Sequence, residues 1–356
     1  MVAGSKTVKI ALDKSGSYLG MSKGCFVVRD RENNVKRYPL FEKKIGEVVL
    51  KSGNFVSVGA LASLGFWNIN TLIITQRGKP VSYLRDIDSD SHVWIRVLQY
   101  KALESHKGLE IAQTVVLKKV EGQSQVLRKY GLRPFDYQLI DKIKNVNENL
   151  IVKDNFISPY TKLGKIRYRL TNLESHLSEH YFNQVFSLIP ERLQPERRST
   201  FKAYDGINNL FNLGYEMLKW KCYKALINAK LEPYLGYLHS EQFGKPSLVC
   251  DFMEIYRFMI DNFVIGFCSN LRKKDFTVKS EVMSRNKVGK REYLNDVQTN
   301  GFMVKLDKLF ISEVNIPRIR HGKKQELETL ISEEALLFAS SLRHNHEKWL
   351  PRLPKL

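Results

Sequence analysis

The apolar period of this chain changes once, near Asp86–Ser91. Before that point, hydrophobic residues come in short β-branched or aromatic runs: TVKIALD from Thr7, CFVVRD from Cys25, EVVLKSG from Glu47, NFVSVG from Asn54, TLIITQ from Thr71 and PVSYL from Pro80. Turn-rich breaks such as Lys14–Ser17, Arg31–Asn34 and Arg77–Pro80 separate these runs, which is the pattern of short strands and tight connections. One short helix interrupts at VGALASLGFWN, from Val58. After the acidic break DIDSDS, apolar residues recur at helical spacing, first in VWIRVLQYKALE from Val93 and then in LEIAQTVVLKKVEGQSQVLRKY from Leu109. Strands followed by helices mean segregated layers, not alternating β-α units. The prediction is an α+β chain. Residues 1–88 form a small, mostly antiparallel β domain, a scaffold or dimerisation surface; residues 92–356 form a larger all-α domain.

Within the second part, Tyr168–Ile189, Asp205–Lys230, Tyr293–Phe310 and Gln325–Arg343 read as helices. Residues 153–165 read as irregular, Pro190–Ala203 as a basic loop, and Arg272–Arg291 as a basic, less apolar region. Lys118, Lys119, Arg128 and Lys129 put charge on exposed helix faces, and the tail from His344 is frayed or bound to a partner. Asp205 can cap the helix that follows it. Gly214 in mid-helix permits close helix packing. Asn208 and Asn212 stand four apart on one helix face, either holding a loop or ligand through their amides or forming a structural polar network.

Chemistry concentrates in GYLHSEQFGKPSLVCDFMEIYRFMID, from Gly236. His239 ends an apolar run, a polar loop follows, and Ser247 stands where an N-cap belongs. Asp251 and Glu254, three apart, can point from one helix face. An imidazole beside two carboxylates suits a hard divalent cation; a core-edge histidine next to a solvated acidic helix start is the plainer alternative. Glu174 lies beside the apolar stripe of its own helix, as either a buried functional acid or a border residue.

The net charge of +20, from 57 basic and 37 acidic residues, is spread along the chain and points to a polyanionic partner. Charge alone does not separate DNA from RNA, nor a dedicated surface from a merely basic one. Lys245, Arg197, Arg198, Arg285 and Arg291 are the candidate phosphate contacts. No apolar run reaches the roughly 18 residues of a membrane span. The N-terminus lacks a signal-peptide core, and the 4 cysteines form no CxxC pair, so a reducing cytoplasm is expected.

Three segments carry a family resemblance: LESHLSEHYF with Glu174, DGINNLFNLGYEML from Asp205, and GYLHSEQFGKPSLVCDFMEIYR with His239 and Glu254. Together they resemble the signature regions of the CRISPR-associated integrase of spacer acquisition, and QYKALESHKGLEIAQTVVLKKVEGQ and YLND fall in the expected order around them. The resemblance implies a β domain joined to a helical domain and a metal-dependent DNA endonuclease or integrase. It would join the 3′-hydroxyl ends of short DNA fragments to a CRISPR repeat by transesterification. It implies Mg²⁺ or Mn²⁺ held by Glu174, His239 and Glu254, the last standing where many relatives carry Asp. Asp251, Asn208 and Asn212 take supporting roles. The implied partners are double-stranded and branched DNA, a second copy in a homodimer, and the small CRISPR-associated partner protein, Cas two. A catalytically silent nucleic-acid-binding scaffold of the same fold is the alternative.

If phosphate contacts dominate, DNA affinity should fall with a log–log salt slope of about −0.9 per phosphate neutralised. Fluorescence anisotropy between low and moderate salt measures the slope; a flat response removes the argument from charge.

Overall fold

The computed structural model describes residues 8–41, 45–76, 78, 80–84, 93–146, 159–200, 203–284, 287–316, 325–344 and 348–356. The chain divides into two compact units, Met1–His92 and Val93–Leu356.

The first unit contains β1 (Val8–Leu12), β2 (Tyr18–Ser22), β3 (Cys25–Arg29), β4 (Val35–Pro39), β5 (Ile45–Lys51), β6 (Phe55–Val56), α1 (Val58–Phe66), β7 (Asn70–Ile74) and β8 (Pro80–Leu84). The expected short helix is α1, and Ser57 caps it by accepting from the Ala60 amide at 3.1 Å. Lys23 and Gly24, both at positive φ, close the β2–β3 hairpin. The strands form two sheets, ordered β1-β5-β7-β8 and β4-β3-β2-β6. Leu12, Leu19, Phe26, Val48, Leu50 and Leu64 lie in one shared core.

The expectation of a mostly antiparallel domain is corrected. β2–β3, β3–β4 and β7–β8 run antiparallel, but β1–β5, β5–β7 and β2–β6 run parallel. Helix α1 makes the crossover between β5 and β7 that a parallel pair needs. A period of two marks a half-buried strand but carries no strand direction.

The second unit contains α2 (Val93–Leu103), α3 (His106–Lys129), α4 (Tyr137–Lys144), α5 (Pro159–Ser187), α6 (Gly206–Asn228), α7 (Ser247–Glu254), α8 (Arg257–Cys268), the hairpin β9 (Phe276–Ser284) and β10 (Lys287–Leu294), α9 (Asp296–Phe310), the short pair β11 (Glu313–Val314) and β12 (Gln325–Glu326), and α10 (Leu327–Arg343). The expected α+β order, a strand-rich part followed by a helical part, is borne out; the departures from an all-α second domain are a hairpin in the basic, less apolar stretch and the short β11–β12 pair. Phe276, Val278 and Val282 do alternate with Thr277, Lys279 and Glu281, but polar, basic residues on both sides dilute that period. Helix α5 also starts earlier than expected, at Pro159, because proline fits the first helical position, where its missing amide has no partner to lose.

Asp205 caps α6 as expected, accepting from the Asn208 amide at 2.7 Å. Gly214 does serve close packing: a Cβ there would lie 2.6 Å from Cγ2 of Ile260 on α8. Gly122 does the same for α3, where a Cβ would lie 2.4 Å from the Phe258 ring of α8. Both glycines draw neighbouring helices against α8.

Within the tail, the described residues 348–356 are packed against the helices, not frayed. Trp349 stacks on Phe252 of α7 with centroids 5.9 Å apart and lies 4.6 Å from Phe338 of α10. Arg352 pairs with the buried Glu334 and reaches Glu333 at 3.1 Å. The tail thus braces the helix that carries Asp251 and Glu254. No helix among the described residues is long and apolar enough to cross a membrane.

Glu328, in the first turn of α10, lies 2.8 Å from Lys221 and 3.0 Å from Lys224 of α6. Burial pushes its pKa up, but the two lysines outweigh that and hold the carboxyl down at about 2. A pKa depressed by folding adds stability that is complete above the ordinary value of 4.5 and is lost as pH falls towards about 2. Glu328→Gln should destabilise the protein by up to ~3 kcal/mol at neutral pH. The gap from wild type should close between pH 4.5 and 2 in urea unfolding; a gap that persists through this range contradicts the pairing.

Candidate active site

Asp251 organises the segment before α7. Its Oδ2 accepts from the backbone amides of Tyr237 at 2.6 Å and Leu238 at 2.9 Å. Its Oδ1 accepts from the His239 amide at 2.9 Å and lies 2.7 Å from His239 Nδ1. An ionised carboxylate only accepts, so Nδ1 carries the hydrogen and Nε2 is left to act as a ligand or acceptor. Arg167 of α5 donates to the Tyr237 carbonyl at 2.6 Å and to that of Gly236. Gly236 is required by space, since a Cβ would lie 2.6 Å from the His239 carbonyl oxygen and 2.7 Å from Ser247. Asp251 is almost wholly buried, while the His239 side chain keeps 29% of its surface exposed. The geometry matches a ring fixed on one edge and open on the other.

The expected cap at Ser247 is corrected. Pro246 takes the cap position, and Ser247 Oγ donates back to the Ser240 carbonyl at 2.8 Å. This closes the polar loop into a turn in which the Lys245 amide donates to the Gln242 carbonyl at 3.0 Å. Phe243 stands fully exposed at its tip, and Lys245 is half-buried at its base.

Glu254 ends α7 and is buried. Its Oε1 lies 3.0 Å from Nη1 of Arg257 and its Oε2 lies 2.8 Å from Nζ of Lys119 on α3. The same ammonium contacts Oε1 of Glu174 on α5, which also accepts from Ser178 Oγ at 2.6 Å. Burial pushes the Glu254 pKa up, but Arg257, Lys119 and His239 together pull it down to about 2. Burial works against the charge on Lys119 as well; Glu254 and then Glu174 outweigh it and hold its pKa above the ordinary lysine value. Glu174 and Glu254 are thus brought together through Lys119, and His239 lies close enough to act on Glu254 electrostatically.

Lys119 and Arg257 are the residues that sequence reasoning missed. Against the expectation of an exposed face, Lys119 is buried. The signal was present: Lys119 follows Val115 and Val116 and precedes Gln123 and Val126 at helical spacing, which puts it on the buried stripe of α3. Arg257, three residues after Glu254, had the spacing of a helical ion pair.

The candidate phosphate contacts separate. Arg197 is exposed. Arg198 turns inward: its guanidinium donates to Asn208 Oδ1 at 2.8 Å and Asn212 Oδ1 at 2.7 Å, and lies 5.4 Å from the Phe182 and Tyr215 ring centres. Asn208 also donates to the Arg197 carbonyl at 2.9 Å. The two asparagines therefore hold the loop that presents Arg197. Arg291 pairs with Glu281 across the β9–β10 hairpin at 2.9 Å. Arg285 lies outside the described residues. Behind the site, Asp261 accepts from Tyr181 at 2.9 Å and from Tyr215. Burial pushes Asp261 up to about 6 although both tyrosines act to lower it.

Among the described residues, no three His, Cys, Asp or Glu side chains are grouped closely enough to hold a metal ion as they stand. The donor chemistry nevertheless fits one. Glu174 and Glu254 offer oxygens, His239 offers Nε2, and the buried Glu254 Oε2 faces the Lys119 ammonium, a position a cation already occupies. Two carboxylates and one imidazole suit Mg²⁺ or Mn²⁺.

Asp251→Asn replaces one accepting oxygen by an NH₂ group that faces donors. It should lower stability by ~2 kcal/mol in urea unfolding and release the His239 ring from its Nδ1–H form, read by ring ¹⁵N shifts. An unchanged tautomer would contradict the clamp.

Residues 10–299 match the family described as CRISPR associated protein Cas1. The CRISPR-associated endonuclease Cas1 of Korarchaeum cryptofilum (strain OPF8) is 26% identical over 353 residues, covering 97% of this chain and 97% of that protein. Among solved structures, a casposase bound to integration product shares the fold at a TM-score of 0.73 and 19% identity, covering 96% of this chain and 93% of that one. A Cas6–RT–Cas1–Cas2 complex matches at a TM-score of 0.71 and 16% identity, covering 100% of this chain and 37% of that one. With the match running through both units and all the candidate site residues, this chain belongs to the Cas1 family of CRISPR-associated proteins.

Proposed function

We propose that the chain is a metal-dependent DNA endonuclease and integrase of CRISPR adaptation, joining the 3′-hydroxyl ends of short DNA fragments to the CRISPR repeat. The observation that carries this reading is the joining of Glu174 and Glu254, from separate helices, through Lys119 in one buried charge cluster, with the clamped His239 near enough to act on Glu254 electrostatically. Family membership and the casposase likeness support it.

Glu174 and Glu254 supply carboxylate oxygens and His239 supplies Nε2 for Mg²⁺ or Mn²⁺. When bound, the ion neutralises charge developing at phosphorus and lowers the pKa of the attacking hydroxyl. Asp251 keeps the His239 ring in one tautomer and one orientation. Arg257 holds Glu254 ionised and fixed. In the transfer, the 3′-oxygen of the fragment bonds to a repeat phosphorus and the bond from that phosphorus to the repeat's own 3′-oxygen breaks. The attacking hydroxyl loses its proton and the released 3′-oxygen takes one up. Water in place of the hydroxyl makes the same step a hydrolysis.

Arg197 and Lys245 are the leading phosphate contacts, with Arg285 and Arg291 in the same cationic set, on a chain of net charge +20. The substrates are double-stranded and branched DNA. The protein works as a homodimer, with Cas2 bridging two dimers, a partnership supported by the Cas1–Cas2 assembly among the structural relatives.

One observation favours a second reading. Lys119 neutralises the two glutamates without any metal, as a silent DNA-binding scaffold of this fold would require. Incubation with branched DNA and Mn²⁺, with and without chelator, separates the two. The enzyme cuts or joins strands only with free Mn²⁺, whereas the scaffold binds and never cuts. His239→Ala should reduce strand transfer at least ~100-fold while DNA affinity by anisotropy stays within about twofold. Retained metal-dependent activity in that variant would refute the assignment.

A further inference from the structure

Lys119 is an unusual occupant of a helical core. It sits on the buried stripe of α3, and Gly122, one turn on, lets that helix close against Phe258 of α8, next to Arg257. Its ammonium meets both Glu174 and Glu254, two of the proposed metal ligands, and keeps only 7% of its side chain exposed. The ammonium here is a stand-in for a divalent metal ion. It has the same sign as a divalent ion, the same carboxylate partners, and a flexible four-carbon stem on which to leave.

We propose that Lys119 is the resident counter-cation of this site. It holds Glu174 and Glu254 together in the metal-free protein and is displaced from between them when a divalent ion binds. The inference rests on the assignment of Glu174, His239 and Glu254 as metal ligands. Two consequences follow from charge alone. In the metal-free protein the two glutamates are balanced by Lys119 and Arg257, so the site is assembled before metal arrives. Metal binding must break the Lys119 contacts, so the lysine lowers metal affinity. The intact site should therefore exchange metal readily, and the stability of the fold should depend little on it.

The test uses the full chain and Mn²⁺ alone as probe, with free Mn²⁺ counted by electron paramagnetic resonance and unfolding followed in EDTA and in Mn²⁺. Lys119→Met and Lys119→Gln should bind Mn²⁺ about tenfold or more tightly than wild type. Both should melt lower than wild type in EDTA and recover more of the loss on adding Mn²⁺ than wild type gains. A variant that folds only with Mn²⁺ supports the proposal; a variant unfolded in both conditions overturns it, as does Mn²⁺ affinity that is unchanged or weaker. The failures are distinguishable. If wild type binds Mn²⁺ and His239→Ala abolishes that binding while both Lys119 variants match wild type, the counter-cation inference alone fails. If no protein binds Mn²⁺ in a His239-dependent way, the metal-site reading fails with it.

Discussion

Two glutamates from separate helices lie side by side against the helical core only because an ammonium and a guanidinium lie with them. A carboxylate taken from water without compensation costs several kcal/mol and would instead protonate. Here Lys119 joins Glu174 to Glu254, and Arg257 takes the other oxygen of Glu254. Their combined pull outweighs burial and keeps Glu254 ionised. The arrangement depends in turn on helix packing. Gly122 removes side-chain bulk where α3, which carries Lys119, closes on Phe258 of α8, next to Arg257, and Gly214 does the same for α6.

Around this cluster the protein uses hydrogen bonds to fix what charge alone would leave loose. Asp251 directs both its oxygens to three consecutive backbone amides and to the His239 ring. One side chain thus shapes the loop and orients the imidazole together. The C-terminal Trp349, stacked on Phe252, presses on the other side of the helix that carries Asp251. Asn208 and Asn212 do comparable work on the 197–199 loop, turning Arg198 into an internal strut while leaving Arg197 outside.

This division of labour suits the proposed phosphodiester chemistry on a long polyanion. The charges that meet the reacting phosphate have to be few, fixed and shielded from water, where electrostatic interactions are stronger. The charges that gather DNA can be numerous, exposed and screened by salt. The Asp251 clamp and the pairing of Glu254 with Arg257 are fixed and buried, whereas Arg197 stands exposed.

Much of this was legible along the chain. The switch of period at Asp86–Ser91 separated a strand-rich part from a helical part. Glu174, His239, Asp251 and Glu254 stood out as acids and an imidazole set into apolar runs, and Asp205 announced its cap. Other features were not legible, because they depend on which segments meet. Strand direction in the N-terminal unit depends on crossovers that a period of two does not encode. Arg198 looked like any other basic loop residue until Phe182, Phe211 and Tyr215 closed over it. Lys119 carried a helical-stripe signal but no hint of its partners, which lie 55 residues away for Glu174 and on a third helix for Glu254. The sequence by itself determined the order of a strand-rich part and a helical part and the side-chain types available as donors, since both follow from local period and side-chain chemistry; the β9–β10 hairpin within the helical part escaped it. Only the tertiary structure decided that a lysine would stand between the two glutamates, because charge compensation in a core is a matter of distance in space.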